Sequence, residues 1–445
     1  MKRILVLGAG RSSSVLIETL HRICESHGWA LRVADANHTQ LAERLAHLPL
    51  AEAIGLNIAD EAITFEHVAW ADIVISLLPA ALHAAIAKHC LAGLSHLITA
   101  SYVSPAMAAL DADAKAAGLT FLNECGLDPG IDHMSAMQII DRLHAEGATI
   151  TGFKSLCGGL VAPACDNNPW GYKISWNPRN VVLAGQATAT WLQNGRPKFR
   201  PYVQLFANPE TIEIPGYGKF EGYPNRDSLA YREVYGLHNI KTLLRGTLRK
   251  PGYSKAWNLI ARLGLTDDTH TITNLGNETW GSFTSMFLPI DTGLPLRENT
   301  AAYLGVSPES PEMDLLEWLG LFSDEPLGIE AKAHVTPAQV LQNLIERKWK
   351  MQDDDRDMIV MLHEFEYVLA GKNHKLSSWL VAEGADNVRT AMAKTVGLPP
   401  ALATELILLG QITQRGVLLP ISADIYRPLL AGLEAEGLCF TETQE

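Results

Sequence analysis

Gly8-Ala9-Gly10 stands directly after an apolar run, Arg3–Leu7, and directly before a helical pattern, Ser13–Ser26. Glycines in that place let the backbone approach a pyrophosphate, and the helix that follows offers unpaired N–H groups and a positive dipole end. The expected contacts are Gly8, Gly10 and the turn Arg11-Ser12-Ser13, with the small Ser13 in place of a third glycine. Asp35 ends the second apolar run. A carboxylate there accepts from a ribose 2′-hydroxyl and repels a 2′-phosphate, so NAD is the expected cofactor and NADP the alternative. A plain turn and a solvated strand-end aspartate are the competing readings of these two features. Ser101 and Tyr102 follow the fifth strand-like run, at the sheet edge where ligands of open α/β folds bind. For Tyr102, a packed ring is the alternative.

The elements that must position these residues alternate along the first part of the chain. Short apolar runs at Arg3–Leu7, Leu31–Ala34, Ala53–Leu56, Ile73–Leu78, His96–Ala100 and Leu119–Asn123 are separated by Ala/Leu-rich helical stretches such as Ala80–Cys90. That alternation predicts βαβ units and a parallel sheet covered by helices. From about Cys125 the texture changes to turn chemistry, Gly126-Leu127-Asp128-Pro129-Gly130, and to longer polar segments with aromatics as far as about Gly252. This region reads as a second, α+β domain. Residues from about Tyr253 to Trp349 read as mostly helical, and the end of the chain returns to strand and helix. The expected domains are 1–128 with a helical segment at about 388–412, then 129–252 with about 350–445, and a helical insertion at 253–349.

The chain has 445 residues, and 36 Lys+Arg against 49 Asp+Glu leave a net charge of −13. An acidic total without a basic block argues against nucleic acid or an anionic membrane as partner. Gly8 and Gly10 cut short the first apolar run, and Pro79 and His83 break the next, so neither a signal peptide nor a membrane span is expected. Six scattered cysteines without a C-x-x-C point to reduced thiols, a cytoplasmic location and no structural metal.

Five segments carry a resemblance: TASYVSPAM (Thr99–Met107), NECGLDPGIDH (Asn123–His133), NNPWGYKISW (Asn167–Trp176), YPNRDS (Tyr223–Ser228) and LLRGTLR (Leu243–Arg249). Together with EWLGLFSDE, RDMIVM and AKTVGLPPALA further on, they make the chain similar, nearly end to end, to the glutamate-forming saccharopine dehydrogenase family. The resemblance implies an N-terminal Rossmann domain, an α+β substrate domain with a mixed sheet, a helical third domain and a homodimer. It implies oxidation of saccharopine by NAD(P) to L-glutamate and 2-aminoadipate 6-semialdehyde, and the reverse condensation.

Residue roles follow from the same resemblance. Three carboxylates on the substrate call for cations, and Arg226, Arg245, Gly246 and Thr247 match substrate-binding segments. Lys173 and Arg249 are equally open to carboxylate binding or a structural ion pair. Ser101 and Tyr102 match a segment that touches nicotinamide ribose or substrate. Asp128 matches a substrate-contacting aspartate able to take the amine proton, although an aspartate before Pro129 also serves a turn. With Tyr102 and Asp128, Cys157 completes the expected catalytic set, and a small buried residue beside a glycine pair is its alternative. His133 reads as a proton relay or as a residue that packs its helix. Leu77, Leu78 and Pro79 match a nucleotide-contacting turn, and Asn57 with Ile58 stands where the adenine is expected. The alternatives are a related secondary-amine enzyme, such as a carboxynorspermidine dehydrogenase, and a non-catalytic nicotinamide sensor.

Overall fold

The computed structural model describes every residue except Asp291 and Ala331. The chain divides into two compact units, Met1–Thr149 with Leu369–Lys372 and Leu380–Thr441, and Ile150–Val368 with Asn373–Trp379 and Glu442–Glu445.

In the first unit, helices alternate with the strands β1 (Arg3–Leu7), β2 (Ala30–Asp35), β3 (Ala51–Gly55), β4 (Ile73–Ser76), β5 (His96–Thr99) and β6 (Thr120–Leu122). Ile4, Leu5, Val6, Ile73, Val74 and Ile75 are wholly buried, as strands covered on both faces require. All their pairings are parallel, and β1 lies between β2 and β4. Strand order therefore reverses at β1 and β4, and the crevice at their carboxyl ends is where ligands of such sheets bind. The helix Ala391–Leu408, with Pro399 and Pro400 inside it, belongs to the same unit. A Cβ on its Gly397 would lie 2.7 Å from the backbone nitrogen of Leu16, so glycine permits its close approach to the helix Ser14–His27.

The second unit is built on β7 (Thr149–Val161), β8 (Ala189–Gln193), β9 (Arg196–Arg200), β10 (Glu210–Ile214), β11 (Gly218–Pro224), β12 (Thr242–Arg249), β13 (Asp357–Leu369) and β14 (Lys372–Glu383). Its sheet is mixed: β12 runs parallel to β7 and antiparallel to β11 and β8. The helices Tyr253–Leu263, Pro311–Leu319 and Pro337–Lys348 bury their apolar faces in one core with Trp170, Tyr172, Val181 and Phe206.

After these, β15 (Gly416–Leu418) pairs in parallel with β6, and β16 (Thr441–Gln444) joins β14. The segment beyond 412, expected with the substrate-binding part, thus supplies an edge strand to the first sheet. Two hydrogen bonds that sequence patterning does not reveal fasten it there: Thr120 Oγ1 donates to the Gln414 carbonyl (2.6 Å), and the Gly416 N–H donates to the Leu119 carbonyl (2.8 Å).

Candidate active site

At the end of β1, Gly8 adopts a φ of +93°. A Cβ there would come within 3.2 Å of the Leu77 carbonyl carbon and oxygen, so both conformation and space call for glycine. Nothing lies within 4 Å of the Cβ position of Gly10, which leaves the turn open to a ligand. Ser13 closes the turn, its N–H and hydroxyl both donating to the Gly10 carbonyl at 3.1 and 2.7 Å. A backbone cradle of this kind, opening a helix at the switch point, fits the pyrophosphate of a dinucleotide. Arg11 is exposed and Ser12 half-buried beside it.

Asp35 is turned inward. Its Oδ2 accepts from the Ala9 N–H at 2.8 Å and its Oδ1 from the Asn37 N–H at 3.2 Å. The guanidinium of Arg44 donates to the Ala9 carbonyl and lies 3.5 Å from Ser13 Oγ. Burial lowers the pKa of Arg44, and the Asp35 charge works against that shift. Leu77, whose N–H donates to the Leu7 carbonyl at 2.8 Å, and Leu78 are half-buried next to the turn, with Pro79 exposed. Asn57 is exposed, its side chain accepting from the Ala59 N–H at 3.1 Å, and Ile58 is half-buried.

A second group lies past the carboxyl end of β5. The hydroxyl of Tyr102 donates to Asp128 Oδ1 at 3.0 Å, and both side chains are half-buried. Asp128 is joined to Pro129 by a cis peptide bond. Beneath them lies a buried set that residue-by-residue reading of the sequence does not assemble. Glu124, at φ +53°, accepts from the Val103 N–H at 3.0 Å through one oxygen and meets His133 Nε2 at 2.8 Å through the other. Asp132 Oδ1 accepts from the Gly130 N–H at 2.6 Å and its other oxygen is 3.8 Å from His133 Nδ1. Backbone bonds from Glu124 to Ser101 (3.1 Å) and from Cys125 to Thr99 (3.0 Å) tie the two loops together. Glu124 and Asp132 both stand in the NECGLDPGIDH segment, so the clue was their spacing around a turn.

In the second unit, the alternation of β12 puts Arg245, Thr247 and Arg249 on one face. Tyr223 of β11 and Cys157 of β7 are both in register with Thr247, forming a row across three strands. Gly246 between them is obligatory, because a Cβ would lie 2.5 Å from the Tyr223 carbonyl oxygen and from Leu156. The YPNRDS loop is fastened to this strand. Asn225 N–H donates to the Arg245 carbonyl (2.8 Å), Arg245 N–H to Ser228 Oγ (2.9 Å), and Asn225 Nδ2 to Thr247 Oγ1 (3.1 Å). Arg245 is buried with its guanidinium 4.2 Å from the Tyr231 ring centre, whereas Arg226, at φ +52°, is exposed.

Arg249 is buried among phenols. Its guanidinium lies 5.1 Å from the Tyr172 ring and 5.3 Å from the Tyr253 ring, and Nη1 donates to the Leu248 carbonyl at 2.9 Å. Burial raises the pKa of Tyr172, Tyr223 and Tyr253, so all three are neutral at physiological pH. Among the described residues no carboxylate forms an ion pair with Arg249, and its Nε has no hydrogen-bond partner. A buried guanidinium in that condition is a place for an anion. Lys173, read as a second cation of this kind, is instead paired with buried Asp355 at 2.6 Å. Its charge is already balanced within the fold. All six cysteines are free thiols, and no cluster among the described residues is able to hold a metal.

Residues 126–438 match the family model described as saccharopine dehydrogenase C-terminal domain, and residues 4–122 match the saccharopine dehydrogenase NADP binding domain. The chain is 37% identical to mitochondrial alpha-aminoadipic semialdehyde synthase of Bos taurus over 99% of its own length, spanning 47% of that protein. It thus covers about half the length of the animal relatives it matches. Saccharopine dehydrogenase (NADP(+), L-glutamate-forming) of Schizosaccharomyces pombe is 34% identical over 99% of both chains. The apo, histidine-tagged saccharopine dehydrogenase (L-Glu forming) from Saccharomyces cerevisiae superposes over 100% of both chains with a TM-score of 0.87 at 31% identity. These findings overturn the expectation that Asp35 makes NAD the favoured cofactor. The matching model is that of an NADP-binding domain, and the fungal relatives carry NADP(+) in their names. The geometry supplies a counter-charge: the Arg44 guanidinium stands beside Asp35, whose two oxygens accept backbone N–H groups, and a cation there offsets the carboxylate's repulsion of a 2′-phosphate.

Proposed function

The chain belongs to the saccharopine dehydrogenase family, and from that premise we propose that it oxidises saccharopine with NADP in lysine metabolism. Saccharopine, NADP⁺ and water become L-glutamate, 2-aminoadipate 6-semialdehyde, NADPH and a proton. The observation that carries this reading is the Tyr102–Asp128 hydrogen bond just past the carboxyl end of β5. It holds a half-buried carboxylate at the edge of the sheet where the reacting end of a dinucleotide belongs.

Gly8, Gly10 and Ser13 cradle the pyrophosphate, with Arg11 and Ser12 on the same turn and Arg44 offering a cation to the 2′-phosphate. When bound, the nicotinamide supplies the hydride acceptor. Asp128 takes the proton of the secondary ammonium, which frees the nitrogen lone pair as hydride leaves the lysine-side carbon. Asp128 releases that proton to solvent. The regenerated carboxylate, oriented by the Tyr102 hydroxyl, then takes a proton from the water that adds to the imine and returns it to the leaving nitrogen, so that collapse of the adduct yields amine and aldehyde. Arg249 and Arg245 take substrate carboxylates, with Thr247 and Cys157 in the row between β12 and β7. Arg226, exposed at the rim of its loop, serves as an outer carboxylate contact. A cytoplasmic location, with which the six free thiols agree, and a homodimer complete the reading.

The test is reduced-nicotinamide absorbance with purified protein, saccharopine and NADP, with NAD in parallel. Saccharopine-dependent reduction of NADP is the expected result. A protein that binds NADPH but turns over neither cofactor with saccharopine would overturn the proposal.

A further inference from the structure

His83 opens the helix His83–Gly93, seven residues past the end of β4, and is almost wholly buried. Its Nδ1 lies 2.9 Å from the hydroxyl of Ser76, the last residue of β4, and its Nε2 lies 2.9 Å from the hydroxyl of Ser101. The imidazole therefore bridges the carboxyl ends of two neighbouring strands. Burial pushes its pKa down to about 4, so the ring is neutral and carries one N–H. One nitrogen donates and the other accepts.

The surroundings choose which. Ser76 is wholly buried, and among the described residues its hydroxyl has His83 Nδ1 as its one hydrogen-bond partner. If Ser76 accepted from Nδ1–H, its own O–H would be buried without an acceptor, a cost that native interiors avoid. Ser76 therefore donates to Nδ1, and the ring proton resides on Nε2, where it donates to Ser101 Oγ. The Ser101 hydroxyl, half-buried and with no other partner among the described residues, is then left with its proton directed away from the imidazole.

We propose that His83, held in the Nε2–H form by Ser76, is a positioning residue that makes Ser101 an obligate hydrogen-bond donor to an oxygen acceptor of the bound ligands. The inference rests on the reading of Ser101 as a contact of the dinucleotide or of saccharopine. It adds a polarity to that contact and a residue that sets it.

Two measurements test it. Long-range ¹H–¹⁵N correlation on the wild-type protein, with and without NADPH, should show His83 with Nε2 protonated and Nδ1 bare. An Nδ1–H ring would overturn the proposal, and this readout needs no turnover. The second uses side chains that each keep one of the two bonds. The His83→Gln amide reaches the Nε2 position and preserves a donor to Ser101, whereas His83→Asn mimics Nδ1 and preserves only the bond to Ser76. NADPH dissociation constants and saccharopine KM should stay near wild type in H83Q. In H83N one of them should worsen about tenfold, as in Ser101→Ala, and the S101A/H83N pair should show no added loss. Equal behaviour of H83Q and H83N, or full additivity with S101A, would overturn it. If wild type does not oxidise saccharopine, the functional proposal fails, while ring tautomer and NADPH affinity still decide the role of His83.

Discussion

Asp128 and Arg249 carry opposite duties, and single substitutions should separate them. Asp128→Asn keeps the size of the side chain and its bond to Tyr102 but removes the base. kcat should fall about 10²- to 10⁴-fold with little change in NADPH affinity, measured by steady-state kinetics and fluorescence titration. An unaltered kcat would show that another group takes the proton. Arg249→Met removes a cation that has no ionic partner among the described residues. Loss of a buried carboxylate partner should raise saccharopine KM by at least about 30-fold, equivalent to about 2 kcal/mol or more. The melting temperature should hold, because no carboxylate is stranded by the change. A normal KM with a large fall in melting temperature would make Arg249 a structural residue only. Lys173 should behave the other way, because its removal strands Asp355.

At the scale of elements, two glycines do different work. Gly246 of β12 has the Tyr223 carbonyl and Leu156 where a Cβ would go, so Gly246→Ala must push β11 and β12 apart. We expect a loss of about 1–3 kcal/mol in denaturant titration, with a raised saccharopine KM because Arg245 and Thr247 move with the strand. Gly10 has a negative φ of −69° and open space at its Cβ position. Gly10→Ala should therefore fold with wild-type stability and yet bind NADPH at least about tenfold more weakly, since its methyl group occupies the approach to the pyrophosphate. Calorimetry and fluorescence titration distinguish these outcomes, and a Gly10→Ala protein with normal affinity would remove that turn from the phosphate site.

For the whole molecule, pH is the simplest global probe. Burial pushes both His83 and His96 down to about 4, the second helped by nearby Arg415 and Lys2. An unfolded histidine titrates near 6.5, so between about 6.5 and about 4 the unfolded chain binds protons that the folded chain refuses. Stability is therefore full above pH 7 and declines as pH falls through that window. From pH 7 to pH 5 the loss should be about 2 kcal/mol for His83 alone, seen as a falling melting temperature. A flat profile over that interval would mean that the rings titrate in the folded protein as they do in the unfolded chain.

The turn Gly8–Gly10 after a strand and the place of Tyr102 past a strand end were legible in the sequence because they depend on local spacing, whereas the substrate roles proposed for Asp128 and the RGTLR stretch came from the family resemblance. The parallel sheet was legible for the same reason, since strands buried on both faces must be apolar throughout. Tertiary structure alone decided the rest. Whether Asp35 faces a ribose or the backbone of Ala9 depends on a loop 26 positions away. Lys173 and Arg249 are both buried cations in motif segments, and only the fold puts Asp355 beside one and phenols beside the other. Pairings between residues so far apart in the chain, including Ser76 with Ser101 through His83, leave no periodic trace in composition. They are set by which loops the packed strands bring to the same edge.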